Sequence, residues 1–438
     1  MSGAGGAWWR VAPGATLGGE IAIPGDKSIS HRAMLFGDIA DGRTEVDGFL
    51  ESEDCFATLN AMRAMGVTIA RPAPQRVVVH GVGRDGLRAP AAPLDMGNAG
   101  TAMRLSMGLL AGQSFNATLV GDPSLSRRPM ERAAKPLREM GARIETTDGR
   151  PPVRVYGGAE LHGVDWDLAV PSAQVKSAIL IAGLYADGET AVREHAVTRD
   201  HTERMLRAFG VDVQVRDGRA ALRGGQRLQG CRLTVPGDIS SAAFFLVAGA
   251  LAAREPLVIR NVGVNPTRTG VIDILRLMGA DLRLVNERRA GDEPVADLEV
   301  RRSELRGVEV PRELVPLAID EFPVLFVAAA NARGRTVVTG AEELRVKESD
   351  RIAAMADGLR AIGVNAEPTL DGMVIEGGSC GGGRIDSRGD HRIAMAFAVA
   401  ALRASAPIEI LDVANVATSF PGFTTLAGRV GLGVEVHA

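Results

Sequence analysis

The sequence predicts an α/β protein of two lobes, each holding three copies of one repeating unit. Three observations lead there. A helix rich in small residues opens after a short polar or Gly-rich lead-in at six places, near Lys27, Asn98, Ser172, Ser240, Asp320 and His391. Their spacing is roughly seventy residues, longer than the ~20–50 of solenoid repeats. A helix-stop signal then recurs in step: Met65-Gly66-Val67, Met140-Gly141-Ala142, Phe209-Gly210-Val211, Met278-Gly279-Ala280, Ile362-Gly363-Val364 and, more loosely, Val430-Gly431-Leu432. Glycine enters the left-handed region without a Cβ clash, so it ends helices there. Finally, PGDKS at Pro24–Ser28 and PGDIS at Pro236–Ser240 are near copies.

Each unit runs the same course. A helix rich in Ala, Leu and Met comes first, such as Ser177–Tyr185 or Ile393–Leu402. A β-branched strand follows: Thr44–Val46, Ala117–Val120, Thr190–Val192, Leu257–Ile259, Thr336–Val338 and Ile408–Leu411. Then come a second helix, its glycine stop, and further strands such as Val67–Ala70 and Val211–Val215. The two Pro-Gly pairs suit two hinge strands. One lobe is expected over 25–237, inserted into a discontinuous lobe of 1–24 and 238–438. A cleft between hinged lobes is the expected ligand site.

Composition narrows the function. The chain has 438 residues, 46% hydrophobic and 24% charged, enough apolar material for folded cores. A net charge of −3 gives no global basic field for nucleic acid, and 4% aromatics leave little for base stacking. Cys55, Cys231 and Cys380 are odd in number and scattered, which fits neither a disulfide framework nor a zinc motif. They read as small core residues in a reducing compartment. MSGAGGAWWR lacks the pattern of a signal peptide, and no apolar run reaches ~18 residues; the longest, Ala242–Ala253, reads as a buried helix.

Seven clusters at helix starts carry chemistry-bearing side chains. They are Pro24–Arg32, Gly97–Arg104, Arg127–Arg132, Pro171–Lys176, Asp320-Glu321, Arg345–Arg351 and Asp390-His391-Arg392. Free N–H groups beside Lys27 and Arg32 suit an anion. Asn98 or Thr101 reads equally as an N-cap, and Pro129 as the start of a helix just after Arg128. Ser172, Gln174 and Lys176 can hold a phosphorylated or hydroxylated ligand, or simply cap. Asp320 is either an N-cap or a base. Lys347, Glu348 and Arg351 are expected on nearby faces of one starting helix. Singly, each cluster reads as well as a solvated or capped helix end. Jointly, repeated units aim equivalent helix starts at one place, which focuses a multiply charged anion. Asp320 and Glu348 are then the proton-transfer candidates. Neither a metal motif nor a dinucleotide fingerprint is present in the sequence.

PGDKSISHR, GNAGTAMR, RPMER, SAQVK, RVKESDR and DHR, in this order from Pro24 to Pro421, resemble the 5-enolpyruvylshikimate-3-phosphate synthases (3-phosphoshikimate 1-carboxyvinyltransferases). Together with Asn265-Pro266-Thr267-Arg268 they resemble the second bacterial class. The resemblance implies the enolpyruvyl transferase type of fold: two inside-out α/β lobes, each of three βαβαββ repeats. It implies an addition-elimination that moves the enolpyruvyl group of phosphoenolpyruvate to shikimate 3-phosphate, a step of chorismate and aromatic amino acid biosynthesis. Lys27, Ser28, Arg32, Ser172, Ala173, Gln174, Asp320 and Lys347 would hold shikimate 3-phosphate, with Arg199 a second-class contact. Lys27, Arg128, Gln174, Arg351 and Arg392 would hold phosphoenolpyruvate, with Gly100 lining its pocket. Asp320 would be the general base on the 5-hydroxyl. Glu348, helped by Lys27, would handle the proton at the methylene carbon.

The resemblance also implies no cofactor, no metal, no nucleic-acid or membrane partner, and a cytoplasmic monomer. Thr418 and Glu343 stand where the first bacterial class has Lys and Asn, so those contacts do not carry over. The second-class motifs imply reduced sensitivity to the inhibitor glyphosate, whereas Gly100 is usual in sensitive enzymes. Two other readings remain: a transferase using UDP-N-acetylglucosamine, and a non-catalytic anion-binding protein. Asp122–Arg132 lacks the loop Cys usual in the former. Intact Lys27, Asp320 and Glu348 argue against the latter.

Overall fold

A computed structural model describes residues 6–438; Met1–Gly5, the start of the segment judged not to be a signal peptide, lie outside the described residues. The contacts divide the chain into two compact units. One spans 25–235 with 289–293, and the other runs to Pro24 and continues over 236–288 and 294–438.

The inserted unit holds six helices. They are α1 (Lys27–Ile39), α2 (Glu53–Ala64), α3 (Gly100–Ala111), α4 (Glu131–Glu139), α5 (Ala173–Gly183) and α6 (His201–Ala208). The discontinuous unit repeats the plan with α7 (Ile239–Ala252), α8 (Gly270–Leu277), α9 (Phe322–Ala330), α10 (Arg351–Ala361), α11 (His391–Ala400) and α12 (Phe423–Arg429). Odd-numbered helices are the interior. All of α7 and α9 is buried, as is α3 apart from Thr101 and Arg104. Phe245 is 1% exposed, and its truncation to Ala would remove about 3–5 kcal/mol of stability. Even-numbered helices such as α4 and α6 are amphipathic and bury one side.

The six glycine stops are alike. Gly66, Gly141, Gly210, Gly279, Gly363 and Gly431 all have positive φ. At the first, Gly66 N–H donates to Arg63 O and Val67 N–H to Met62 O, and the same pair of bonds recurs at the other five. This double closure satisfies the helix's last carbonyls and turns the chain into the next strand.

Among the described residues each unit carries three sheets. In the inserted unit the strand after each odd helix is parallel to one neighbour and antiparallel to the other. Glu189–Glu194, for instance, lies parallel to Asp165–Leu168 and antiparallel to Arg219–Arg223. Alternate burial along Arg150–Tyr156 shows one face on the helices and one in solvent. Closure comes from afar. Ala40–Asp47 takes its parallel neighbours from Leu228–Gln229 and Arg232–Thr234, at the far end of the unit's chain. In the other unit Trp8–Val11 lies between Ile408–Leu411 and Val434–His437, antiparallel to both. Helices inside and sheets outside is the inside-out arrangement of the enolpyruvyl transferase type.

Three local expectations need correction. The 3-10 turn Glu342–Val346 ends before Lys347, and α10 begins only at Arg351, because Asp350 caps it by accepting from Ala353 N–H at 3.0 Å. Lys347 and Glu348 therefore sit on the connecting segment, not on a helix. Likewise α4 starts at Glu131, with Met130 as its N-cap, so Pro129 precedes the helix. Neither Asn98 nor Thr101 caps α3; Ala99 is the N-cap and has no side-chain hydrogen bond.

Candidate active site

In the inserted unit the starts of α1, α3 and α5 are bound together by side chains. Asp26 caps α1, accepting from Ile29 N–H at 2.8 Å, and places Lys27 at its first position. Lys27 Nζ donates to Asp54 Oδ2 at 3.0 Å, at the start of α2. One turn on, Arg32 is 2% exposed. Its Nε donates to Thr202 Oγ1 at 2.7 Å, Nη2 to Ser177 Oγ at 2.7 Å and Nη1 to the Ser28 carbonyl at 3.0 Å. Adjacent His31 is buried, with Nδ1 2.7 Å from Thr58 Oγ1. Burial first, then Lys27 and Arg32, press its pKa down to about 3, so the imidazole is neutral.

Gln174, in the first turn of α5, joins α5 to α3. Its Oε1 accepts from Arg104 Nη1 at 2.5 Å, and its Nε2 donates to Thr101 Oγ1 at 2.9 Å. Arg104 Nη2 also donates to the Pro129 carbonyl at 2.9 Å. Arg128 donates to Asn98 Oδ1 and, at 3.3 Å, to Ser124 Oγ, while Asn98 Nδ2 donates to Asp122 Oδ2 at 2.7 Å. Gly100 explains how the two arginines fit. A Cβ there would stand 3.2 Å from both Arg104 Nη1 and Arg128 Nη1. Ser172 caps α5, accepting from Val175 N–H at 3.4 Å, and Ala173 is its first residue. Arg199 lies half-buried two positions before α6.

The discontinuous unit gathers acids as well as bases. Arg351 is 1% exposed and begins α10. Its Nε donates to Asp390 Oδ2 at 2.8 Å, its Nη2 to Glu348 Oε2, and its Nη1 lies 3.5 Å from Asp320 Oδ1. Lys347 Nζ is 3.4 Å from the same Asp320 oxygen. Burial by itself would depress the Arg351 guanidinium; Asp390 and Glu348 outweigh it, and the net shift is upward. Asp390 is the N-cap of α11 and also accepts from Ser349 Oγ at 3.0 Å. Arg392 Nη1 lies 3.9 Å from Glu321 Oε1, which accepts from Ser240 Oγ on α7. Arg268 Nη2 donates to the same hydroxyl at 2.7 Å.

The expected residues thus form two sets. Lys27, Ser28, Arg32, Gly100, Arg128, Ser172, Ala173, Gln174 and Arg199 lie in the inserted unit. Asp320, Lys347, Glu348, Arg351 and Arg392 lie in the other. Asp320 is not a cap: Glu321 precedes α9, and Asp320 faces Lys347 and Arg351 instead. Sequence reasoning named Arg104, Glu321 and Asp390 inside motifs but gave them no role. It missed Asp54, whose one signal is an acid at the start of a second helix. Among the described residues no group of three His, Cys, Asp or Glu is placed to hold a metal ion, and no helix is long and apolar enough to cross a membrane.

The fold defines the class first. The enolpyruvyl transferase NikO from Streptomyces tendae superposes with a TM-score of 0.78 over 99% of both chains, at 18% identity. The chain therefore has the enolpyruvyl transferase fold. The family follows from closer likenesses. The model of EPSP synthase (3-phosphoshikimate 1-carboxyvinyltransferase) matches residues 11–426. A 3-phosphoshikimate 1-carboxyvinyltransferase from Methylococcus capsulatus is 61% identical over 430 residues, 98% of each chain. The structure of EPSP synthase from Acinetobacter baumannii is 55% identical, with a TM-score of 0.88 over 99% of this chain and 100% of that one. The chain belongs to the EPSP synthase family.

Proposed function

We infer that the protein transfers the enolpyruvyl group of phosphoenolpyruvate to the 5-hydroxyl of shikimate 3-phosphate and releases phosphate, in the shikimate pathway. The observation that carries the residue roles is the Asp320–Lys347–Arg351–Glu348–Asp390 network, two half-buried carboxylates held beside cations.

The reaction needs a proton removed from the 5-hydroxyl while the methylene carbon gains one. A C–O bond forms to carbon 2 of the enolpyruvyl group, giving a tetrahedral adduct. Loss of a methyl proton and cleavage of the bond to the phosphate oxygen then restore the double bond. Asp320 takes the hydroxyl proton; Glu348, with Lys27, delivers and later removes the proton on carbon. Lys27, Ser28, Arg32, Ser172, Ala173, Gln174, Arg199, Asp320 and Lys347 hold shikimate 3-phosphate. Arg128, Gln174, Arg351, Arg392 and Lys27 hold phosphoenolpyruvate, with Gly100 leaving room for its arginines. Two anions fixed by preset cations account for most of the rate. The enzyme works as a cytoplasmic monomer.

Phosphate release from shikimate 3-phosphate plus phosphoenolpyruvate tests this, against each substrate alone. Release that needs both supports the reading. No release with the folded protein overturns it.

A further inference from the structure

Lys176, read from the sequence as a ligand-holding ammonium, is instead buried between two glutamates, and it has no substrate contact in the reading above. It lies in the first turns of α5, only two residues after Gln174, and its side chain is 1% exposed. Its Nζ lies 2.8 Å from Glu194 Oε2 and 2.7 Å from Glu203 Oε1. Burial by itself would depress the ammonium, but Glu203 and then Glu194 outweigh it, and the net shift is upward. Lys176 is therefore charged.

The two glutamates bracket a single segment. Glu194 ends the strand Glu189–Glu194, and Glu203 lies in the first turn of α6. Between them run Thr198, whose hydroxyl donates to Glu194, and Arg199. The neighbouring residues repeat the connection. Ser177 Oγ and Thr202 Oγ1 are 2.7 Å apart, and both accept from Arg32. Thus the pair Lys176-Ser177 on α5 is tied to the pair Thr202-Glu203 on α6. One tie is ionic, and the other is a hydroxyl pair that seats Arg32. Glu203 Oε2 is buried without a hydrogen-bond partner, which leaves the Lys176 ammonium at Oε1 as a main support of this buried carboxylate.

We propose that Lys176 is a positioning residue for shikimate 3-phosphate: by holding Glu194 and Glu203 it fixes the 194–203 segment, and with it Arg199 and the Thr202 hydroxyl that orients Arg32. This rests on the substrate reading above. Lys176 touches no reacting atom; it sets where two arginines that hold shikimate 3-phosphate point. An arginine displaced by about 1 Å loses much of its effect, on the order of tenfold to a hundredfold.

The test compares Lys176→Met, Lys176→Arg and Glu194→Ala with wild type. The dissociation constant for shikimate 3-phosphate alone is measured by calorimetry, the KM for phosphoenolpyruvate by phosphate release, and folding by thermal melting. Wild type is assayed first. If it releases no phosphate with both substrates, the functional reading fails. If it turns over, the variants judge the proposal alone. Lys176→Met should weaken shikimate 3-phosphate binding on the order of tenfold or more, with the phosphoenolpyruvate KM within about threefold of wild type. Lys176→Arg, which keeps the charge, should restore most of the affinity. Glu194→Ala leaves the Lys176–Glu203 pair intact, so it folds even if Lys176→Met does not, and it should weaken the same affinity severalfold. Unchanged shikimate 3-phosphate affinity in folded Glu194→Ala, or an equal loss for both substrates in either variant, overturns the proposal.

Discussion

The site arginines of the two units donate to different acceptors. In the inserted unit, neutral acceptors take the guanidinium hydrogens: hydroxyls and a carbonyl for Arg32, an amide and a carbonyl for Arg104. In the discontinuous unit, carboxylates do so: Asp390, Glu348 and Asp320 for Arg351, and Glu321 for Arg392. Neutral acceptors orient an arginine without cancelling its charge, which suits capture of a phosphate dianion. Carboxylate partners cancel it, but the same contact fixes the acid. A unit that must move protons needs acids at set positions, and buried arginines provide the anchors.

Variants can break this contrast. The largest effect is expected at Arg351. Arg351→Met leaves Asp390 buried without its cation and should lower stability by about 3–5 kcal/mol, read by urea denaturation, along with turnover. Arg32→Met removes a guanidinium that donates to two hydroxyls and a carbonyl, and should destabilise clearly less. Equal losses would remove the distinction.

Next comes Asp320→Asn. As the base it should lose about 10²–10⁴ in kcat at saturating substrates, with little change in melting temperature. A kcat within threefold of wild type would take the role away from it.

Gly100→Ala sharpens the account of the inserted unit. The added methyl would press on Arg104 and Arg128 at 3.2 Å. The KM for phosphoenolpyruvate should rise by about tenfold, equivalent to ~1.4 kcal/mol, while shikimate 3-phosphate affinity holds. A rise shared by both substrates would show that the arginines do not divide as proposed.

A last comparison concerns two repeats of the same unit. Gly37 packs on Thr44 as Gly183 packs on Thr190, so Asp38 matches Leu184. Both are fully buried, but neither oxygen of Asp38 has a hydrogen-bond partner. Burial raises its pKa well above the ordinary carboxylate range. The folded state keeps this proton where the unfolded chain loses it, above about pH 4, so stability falls as pH rises past that point. In urea titrations, Asp38→Asn should gain on wild type between pH 5 and 8, by up to about 1.4 kcal/mol per pH unit. A difference independent of pH would contradict a protonated Asp38.

Local signals explain what was legible in the sequence. Glycine stops, β-branched strands and apolar first helices act within a few residues, so Ala117–Val120 and Ile408–Leu411 match the structure to the residue. Sheet closure by 228–234 and by Trp8–Val11 has no local mark, because the partner strands lie far along the chain. The site divides likewise. Motifs and family resemblance named the basic residues. Asp54 pairs with Lys27 across 27 positions, Arg104 with Gln174 across 70, and Arg351 with Asp390 across 39. Only folding brings such partners together. Lys347 and Glu348 read as helical because the charge spacing fits one turn, but the Asp350 cap delays the helix.

The division of labour between the units is tested most directly by calorimetric dissociation constants for shikimate 3-phosphate in Asp320→Asn and Arg32→Met. The account predicts a loss within about threefold for folded Asp320→Asn, whose amide can still accept from the 5-hydroxyl, and a loss on the order of a hundredfold for Arg32→Met. Comparable losses in both, or the larger loss in Asp320→Asn, would contradict it.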